Sequence, residues 1–456
     1  MRIIVGYSFL VWLSTGCSAT AHSPADEPDQ GLAHVAPAAA EAPPPIAEAG
    51  EPAPVEAEEP APGAAGSVSE PANGPAANQA NGPRGSDFAT YAQLIYRIAA
   101  CGHDGPVDAR FSRKVVDRHC AKVHKRFASF DEKWGKRAGE FIAGLRPADL
   151  PDSVIYPFGG GDLVSALVVY PDAREITTIS LEAAGDPRTI EAMSGKRLGE
   201  ELQIIRGKYE RLLRSQYSTT KSLQIASHSH LAGTVMFALS ALALHGQEPI
   251  SLRYFDIERD GSLRYLDEAE LDARAAGVKA ARGKRKKKYK TRQYWREQIS
   301  AFANMEIQFR ARGAADGAPL RVYRHIVANL DDPHLADEPQ ILAHLQAKGD
   351  VAVMTKAASY LLWLDEFSQI RNYLLAHTIW MISDSSGVPP DHASAAGYEQ
   401  ITYGQFTRPF FTRDPKKVAS QMIRLWNESP QRPLRFRFGY PDGEGNGHLL
   451  VMRRKQ

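Results

Sequence analysis

The hydrophobic positions of the chain follow two periods, which predict strands and helices in alternation. Short apolar and β-branched segments predict strands at residues 153–158 and 175–181. Between them, residues 163–170 have the composition and length of a buried helix. Two strands joined by a helix form a βαβ unit, so we expect a parallel pair of strands here.

The alternation continues toward the C-terminus. An amphipathic helix is predicted at residues 196–214, and a helix apolar on every side, hence buried, at 231–245. Two hairpins are predicted at 250–265 and 305–330, because each has a glycine-containing turn between two strand-like segments. The remaining predicted elements are helices at 339–348, 367–377 and 417–426 and strands beginning at 351 and covering 434–438 and 449–453. The expected fold class is α/β over residues 151–456, with a mixed sheet and flanking helices.

Residues 87–150 are predicted to be helical. A helix at 91–100 ends at Gly102, and a longer helical region follows at 108–145. Cys101 and Cys120 lie where a disulfide would join these two regions into a helical hairpin. The alternative is a pair of buried free thiols.

Residues 18–86 differ in composition from everything that follows. They are dominated by Ala, Pro, Glu and Gly and have few large apolar residues. Such a segment cannot bury enough apolar surface to fold, so we expect a disordered tether.

The first residues have the layout of an export signal. Arg2 precedes an apolar run at 3–13, and Leu13-Ser14-Thr15-Gly16-Cys17 follows directly, so residues 1–21 are predicted to be a signal peptide. This segment resembles the lipidation site of bacterial lipoproteins, which implies lipid on Cys17 and a membrane anchor. We then expect an outer-membrane lipoprotein facing the periplasm or the cell surface. The alternative is cleavage after Ala21 and a soluble periplasmic or secreted protein.

The formal net charge is +2, and much of the excess positive charge of the folded part is concentrated in a basic insertion at 279–296. Behind an export signal, such a run does not indicate nucleic acid, and we expect no nucleic-acid partner. The sequence leaves two interpretations open: contact with an anionic envelope surface, or a solvated insertion.

Glycines after the first predicted strand form the best candidate for a ligand pocket. The segment Tyr156-Pro157-Phe158-Gly159-Gly160-Gly161-Asp162 lies where a strand passes into a helix, and Glu182 follows the next strand. This Rossmann-like arrangement resembles the first motif of S-adenosylmethionine-dependent methyltransferases. The resemblance implies that Gly159 and Gly161 approach a cofactor and Glu182 binds its ribose, with Asp162 as a helix cap. The segment is also similar to a group of uncharacterised exported bacterial proteins with a Tyr-Pro-Phe-Gly-x-x-Asp sequence.

Lys356 and Asp384 lie in polar segments at the ends of later elements, the positions from which α/β folds usually build clefts, so they can belong to the same cleft. No credible nucleophile and base pair is identifiable: Ser218-x-x-Lys221 lacks its partner motifs, and His228 and His230 lack a third metal ligand. We therefore expect no cofactor and no metal. The favoured function is a tethered binding or scaffolding module, and the alternative is an enzyme or small-ligand binder built around Gly159 to Asp162 and Glu182.

Overall fold

The computed structural model describes residues 85–102, 107, 109–215, 233–284, 301–409 and 416–455. The predicted signal peptide and residues 18–84 of the predicted tether lie outside the described residues, as do residues 285–296 of the basic insertion. The described residues belong to one compact unit, which includes residues on both sides of position 150.

A mixed ten-stranded sheet runs through the described residues. Its strands are β1 (Ser153–Pro157), β2 (Glu175–Ser180), β3 (Gln247–Ile257), β4 (Leu263–Tyr265), β5 (Asn304–Ala311), β6 (Arg321–Val327), β7 (Val351–Thr355), β8 (Thr378–Ser383), β9 (Tyr398–Gly404) and β10 (His448–Arg454). Their order is β4-β3-β5-β6-β2-β1-β7-β8-β10-β9. The five central strands, β6-β2-β1-β7-β8, are parallel to one another, whereas all pairings that involve the flanking strands are antiparallel. The prediction of an α/β fold with a mixed sheet and a βαβ unit is confirmed.

The helices of the described residues cover the sheet on both faces. They are α1 (Ala89–Ile98), α2 (Arg113–Phe130), α3 (Lys136–Ala143), α4 (Leu163–Val169), α5 (Gly195–Ser215), α6 (Gly233–Leu244), α7 (Glu268–Lys284), α8 (Asp332–Asp337), α9 (Gln340–Gln346), α10 (Ser368–His377), α11 (Pro390–Ala395) and α12 (Lys416–Glu428). A short π-helical segment, Asp131–Gly135, joins α2 to α3.

Side-chain alternation along the strands builds a separate apolar core on each face of the sheet. In β1, Val154 and Tyr156 join the core formed with α1 to α6, whereas Ile155 joins the core formed with α8 to α10. Both faces of β1 and β7 are buried, which is why these strands are almost wholly apolar. A third, smaller core packs α12 against Trp363 and Leu450.

A row of alternating charges crosses the strands on one side of the sheet. Glu306 on β5 pairs with Arg253 on β3 and Arg324 on β6, and Arg324 also pairs with Glu175 on β2. Lys348 contacts the other oxygen of Glu175. Burial by itself raises the pKa of Glu175, but Lys348 and Arg324 outweigh it and hold that pKa at about 2. The row is therefore a stabilising cross-strand network at neutral pH.

In the C-terminal half, the predicted strand at 434–438 is absent, and strands β8 and β9 were not predicted. Residues 434–438 form no strand, because Phe436 and Phe438 instead pack into the core beside Phe141 and Trp134. Strand β8 was not expected, since α10 ends at His377 and β8 begins at the next residue without a turn signal.

Candidate functional site

The order in which the chain fills the sheet reverses at β1. The chain proceeds from β1 to β2 and β6 on one side, then returns to place β7 and β8 on the other side. In open α/β sheets, ligands bind outside the carboxyl ends of the strands at such a switch point. The glycine turn follows β1, Lys356 follows β7 and Asp384 follows β8. The structure therefore brings most of the candidate pocket residues to one edge of the sheet.

At the switch point, Lys356 and Asp162 form a buried ion pair. Lys356 Nζ lies 2.6 Å from Asp162 Oδ2, and each residue is only 1% exposed. Lys356 Nζ also donates to Ser165 Oγ at 2.9 Å. An unpaired charge at this depth would be very costly, so the two residues depend on each other.

Asp162 has two further roles. It is the N-cap of α4, where its side chain accepts the backbone N–H of Ser165. Its Oδ2 also accepts the Tyr156 hydroxyl at 2.9 Å. Burial, and next the charge of Asp162, raise the pKa of Tyr156 well above its usual value, so the phenol stays protonated and donates.

Two aromatic rings from distant parts of the chain cover Lys356. Its Nζ lies 5.7 Å from the centre of the Trp134 ring and 5.5 Å from that of Phe438. The two rings stack on each other with centroids 6.3 Å apart. They supply cation–π attraction and exclude water from the ion pair.

Asp384 is buried beside this group, and its carboxyl oxygens accept hydrogen bonds from four donors of the described residues. Its Oδ2 accepts the backbone N–H groups of Ala357 at 3.0 Å and Tyr440 at 3.1 Å. Its Oδ1 accepts the backbone N–H and the hydroxyl of Ser386. The carboxylate thereby ties the ends of β7 and β8 to the C-terminal segment.

The glycine turn is closed rather than open to solvent. Gly159, Gly160, Gly161 and Asp162 are all buried. A Cβ on Gly159 would lie 2.6 Å from the Tyr156 ring, and Gly160 has a φ of +51°. Close packing and a left-handed backbone thus account for glycine at these two positions without a ligand.

Glu182 belongs to a different environment. Its backbone carbonyl accepts His325 Nε2 on β6, and its backbone N–H donates to Ser180 Oγ. Among the described residues, no hydrogen bond or ion pair joins its carboxylate to the group of Tyr156, Asp162 and Lys356. Glu182 thus follows β2 at the same edge of the sheet, but its described contacts are with β2 and β6 rather than with the buried ion pair.

Sequence reasoning missed a serine and histidine contact near Asp384. Ser385 Oγ lies 3.0 Å from His448 Nε2, and burial lowers the pKa of His448, so the imidazole is neutral. A neutral imidazole can accept a serine proton. However, both residues are buried, and the rings of Phe406 and Trp426 pack against His448. The contact is therefore a buried hydrogen bond within the packed interior.

Three cavities open elsewhere on the described surface. One of about 550 Å³ lies between α2 and α5, one of about 660 Å³ beside β3 and β4, and one of about 380 Å³ beside Gly404 and Arg432. Their linings do not include Tyr156, Asp162, Lys356 or Asp384.

The remaining candidate residues divide between the described and undescribed parts. Cys101 and Cys120 form a disulfide with Sγ atoms 2.14 Å and Cα atoms 5.3 Å apart. The helices beside it do not pack mainly on each other, because α1 packs against β3 and α2 against α5. Cys17, Ser218, Lys221, His228 and His230 lie outside the described residues.

Comparisons of the chain with family models, curated proteins and solved structures find no match. Among the described helices, none combines the length and the apolar composition needed to cross a membrane.

Proposed function

We propose that the chain is a tethered cell-envelope lipoprotein that binds or scaffolds. We also propose that the switch point of its sheet is an internal brace, by which we mean buried contacts that hold the strand ends together and do not bind a ligand. The observation that carries this proposal is the buried contact of Lys356 with Asp162. A ligand at the carboxyl end of β1 would meet a closed glycine turn and an ion pair whose polar atoms already have partners.

Energetics support the brace. A ligand that entered this position would have to separate two desolvated charges or bury its own polar groups beside them. Removing one partner of a buried ion pair typically costs about 3–5 kcal/mol. The contacts of a small ligand with a turn that exposes so little surface would rarely supply enough binding free energy to offset this loss.

The envelope part of the proposal rests on the sequence before the folded unit. Cys17 after an apolar run supports lipidation, and the Pro- and Ala-rich tether suits a domain held at a distance from its anchor. The Cys101–Cys120 disulfide is in keeping with an oxidising compartment.

Mass spectrometry of the mature protein from a bacterial host tests the anchor. We expect an N-terminus of diacylated Cys17 in the wild-type chain and, in Cys17→Ser, loss of the membrane association that resists a high-salt wash. A mature chain beginning at His22 would contradict lipidation while leaving export intact.

One observation favours the alternative of a small-ligand site. Phe158, with φ of +60°, and Ala357, with φ of +58°, are non-glycine residues in left-handed conformations at the ends of β1 and β7. Such strained positions cluster at ligand sites. Isothermal titration with S-adenosylmethionine and common nucleotides tests this alternative: saturable binding that Lys356→Met abolishes would favour it, and no heat with any of them would support the brace.

A further inference from the structure

The cavity between α2 and α5 combines an apolar floor with a cationic rim. Val123, Tyr209 and Leu213 form the floor and are buried. Lys122, Lys125, Arg126 and Arg206 contribute the cations of its lining, against a single acid, Glu210. This combination of charge and apolar surface distinguishes the cavity from the other two.

Most of the positive charge at this rim has no carboxylate to neutralise it. Arg126 pairs with Glu210. Within the described part of the chain, Lys122, Lys125 and Arg206 form no ion pair with a carboxylate. Arg206 Nη1 instead donates to Nδ1 of His119 at 3.1 Å, and burial lowers the pKa of that imidazole to about 4, so it brings no charge of its own. Three cations therefore remain available to an anion.

The charge continues along α2. Lys114, Arg118, Lys122 and Lys125 are exposed and recur every three or four residues, so they form a stripe on one face of the helix. Asp117, the acid on this helix, is paired with Arg113. The stripe ends at the cavity, which makes α2 a basic amphipathic helix whose apolar face is already packed into the protein.

We propose that this face, consisting of the stripe on α2 and the cavity between α2 and α5, binds the phosphate head groups of anionic phospholipids at a membrane surface. The cations face the phosphates, and the cavity takes one head group with the upper part of its acyl chains. A volume of about 550 Å³ lies within the range of small-molecule sites, about 300–1,000 Å³. An acidic protein would instead need a broad complementary surface of about 800 Å² per partner.

This inference does not depend on the proposed lipid anchor, because the test uses the full chain with Cys17→Ser. The protein is incubated with vesicles of equimolar phosphatidylglycerol and phosphatidylcholine, or of phosphatidylcholine alone, and the bound fraction is measured by flotation. We expect binding to the anionic vesicles that weakens steeply as salt is raised. Equal binding to both kinds of vesicle would overturn the proposal.

Matched double variants distinguish binding through this face from a nonspecific effect of the positive charge of the protein. Lys122→Gln with Lys125→Gln removes two charges from the rim, and Lys417→Gln with Arg424→Gln removes two exposed charges from α12, whose core packs on a different part of the sheet. Each cation near an anionic leaflet is worth about a fivefold change in affinity, so the first pair should weaken binding about 25-fold. The second pair should change it by less than about threefold. An equal effect of the two pairs, or no effect of the first, would overturn the assignment to α2 and α5.

Cross-linking identifies the contact directly. A phosphatidylglycerol with a diazirine in its acyl chain is photolysed with the protein, and labelled peptides are sequenced. We expect labels on residues of α2 and α5 around Lys122 and Arg206. Labels confined to other regions would overturn the proposal even if vesicle binding is observed.

Discussion

The buried pair of Lys356 and Asp162 predicts strong coupling in a double-mutant cycle. Lys356→Met keeps the aliphatic stem between the rings of Trp134 and Phe438 but removes the charge. Asp162→Asn loses the charge and keeps one acceptor oxygen, which can still serve the N-cap at Ser165, while its amide nitrogen replaces the oxygen that accepts the Tyr156 hydroxyl. Each single variant thus leaves one uncompensated charge in the interior, whereas the double variant leaves none.

The magnitude follows from the geometry. Two unit charges 2.6 Å apart attract by about 6 kcal/mol at an effective dielectric constant of about 20, and desolvation of both groups opposes this. We expect each single variant to lose about 3–5 kcal/mol in the free energy of unfolding. The double variant should lose at least about 2 kcal/mol less than the sum of the two single losses.

Urea unfolding at pH 7, followed by circular dichroism, measures these differences when the slope with urea is unchanged. The matched control is Arg113→Met with Asp117→Asn, since this pair is more than half exposed and should couple by less than about 1 kcal/mol. The reasoning is refuted if the buried pair couples as weakly as the exposed pair. Water would then reach Lys356, and the switch point would be open to ligands.

Three other predictions concern stability. Burial lowers the pKa of four histidines from 6.5 to about 4; they are His119, His245, His325 and His344. The unfolded chain therefore binds protons that the folded chain excludes, and urea unfolding should show stability that is full above about pH 6.5 and falls toward pH 4; a flat profile would contradict this. Glu175→Gln should cost about 2–3 kcal/mol at pH 7, because the folded pKa of about 2 lies below the usual 4.5; the difference from wild type should shrink as pH falls from 4.5 toward 2, and a gap that persists at pH 2 would argue against this origin. Gly439→Ala should lower the melting temperature much more than Gly397→Ala, since both residues have positive φ but only the Cβ at position 439 would lie 1.9 Å from Asp384 Oδ2.

The sequence predicts the centre of this fold better than its periphery. Strands β1 and β2 are buried on both faces and are separated by the turn at Gly159 and a capped helix. The apolar composition of the strands and the turn and cap residues between them therefore indicate the same elements. Strand β8 has an equally apolar sequence, but the immediate passage from α10 removes the turn that would mark its start. Residues 434–438 alternate as a strand would, yet tertiary packing of Phe436 and Phe438 determines their conformation.

The switch-point group was also predictable only in part. The rule that polar residues at strand ends meet at one edge brings Asp162, Lys356 and Asp384 together correctly. Neither periodicity nor spacing indicates that the rings of Trp134 and Phe438 cover Lys356, because the two rings lie about 300 residues apart in sequence. A hydrogen bond from Trp134 Nε1 to the carbonyl of Arg437 joins their segments in the fold. The spacing that singled out Glu182 reflects a general property of βαβ units, whereas its actual contacts depend on β6.

Closure of the switch point by Phe438 and Tyr440 has a consequence for folding. The strands that carry Lys356 and Asp384 can form before the C-terminal segment is available, but both charges then lack their cover and one backbone donor. A nascent chain that has emerged only to about residue 430 would therefore expose two charges at the centre of its sheet. The C-terminal segment with Phe438 and Tyr440 completes the burial of both charges. We therefore expect the domain to reach its full stability only after these contacts, between residues far apart in sequence, have formed.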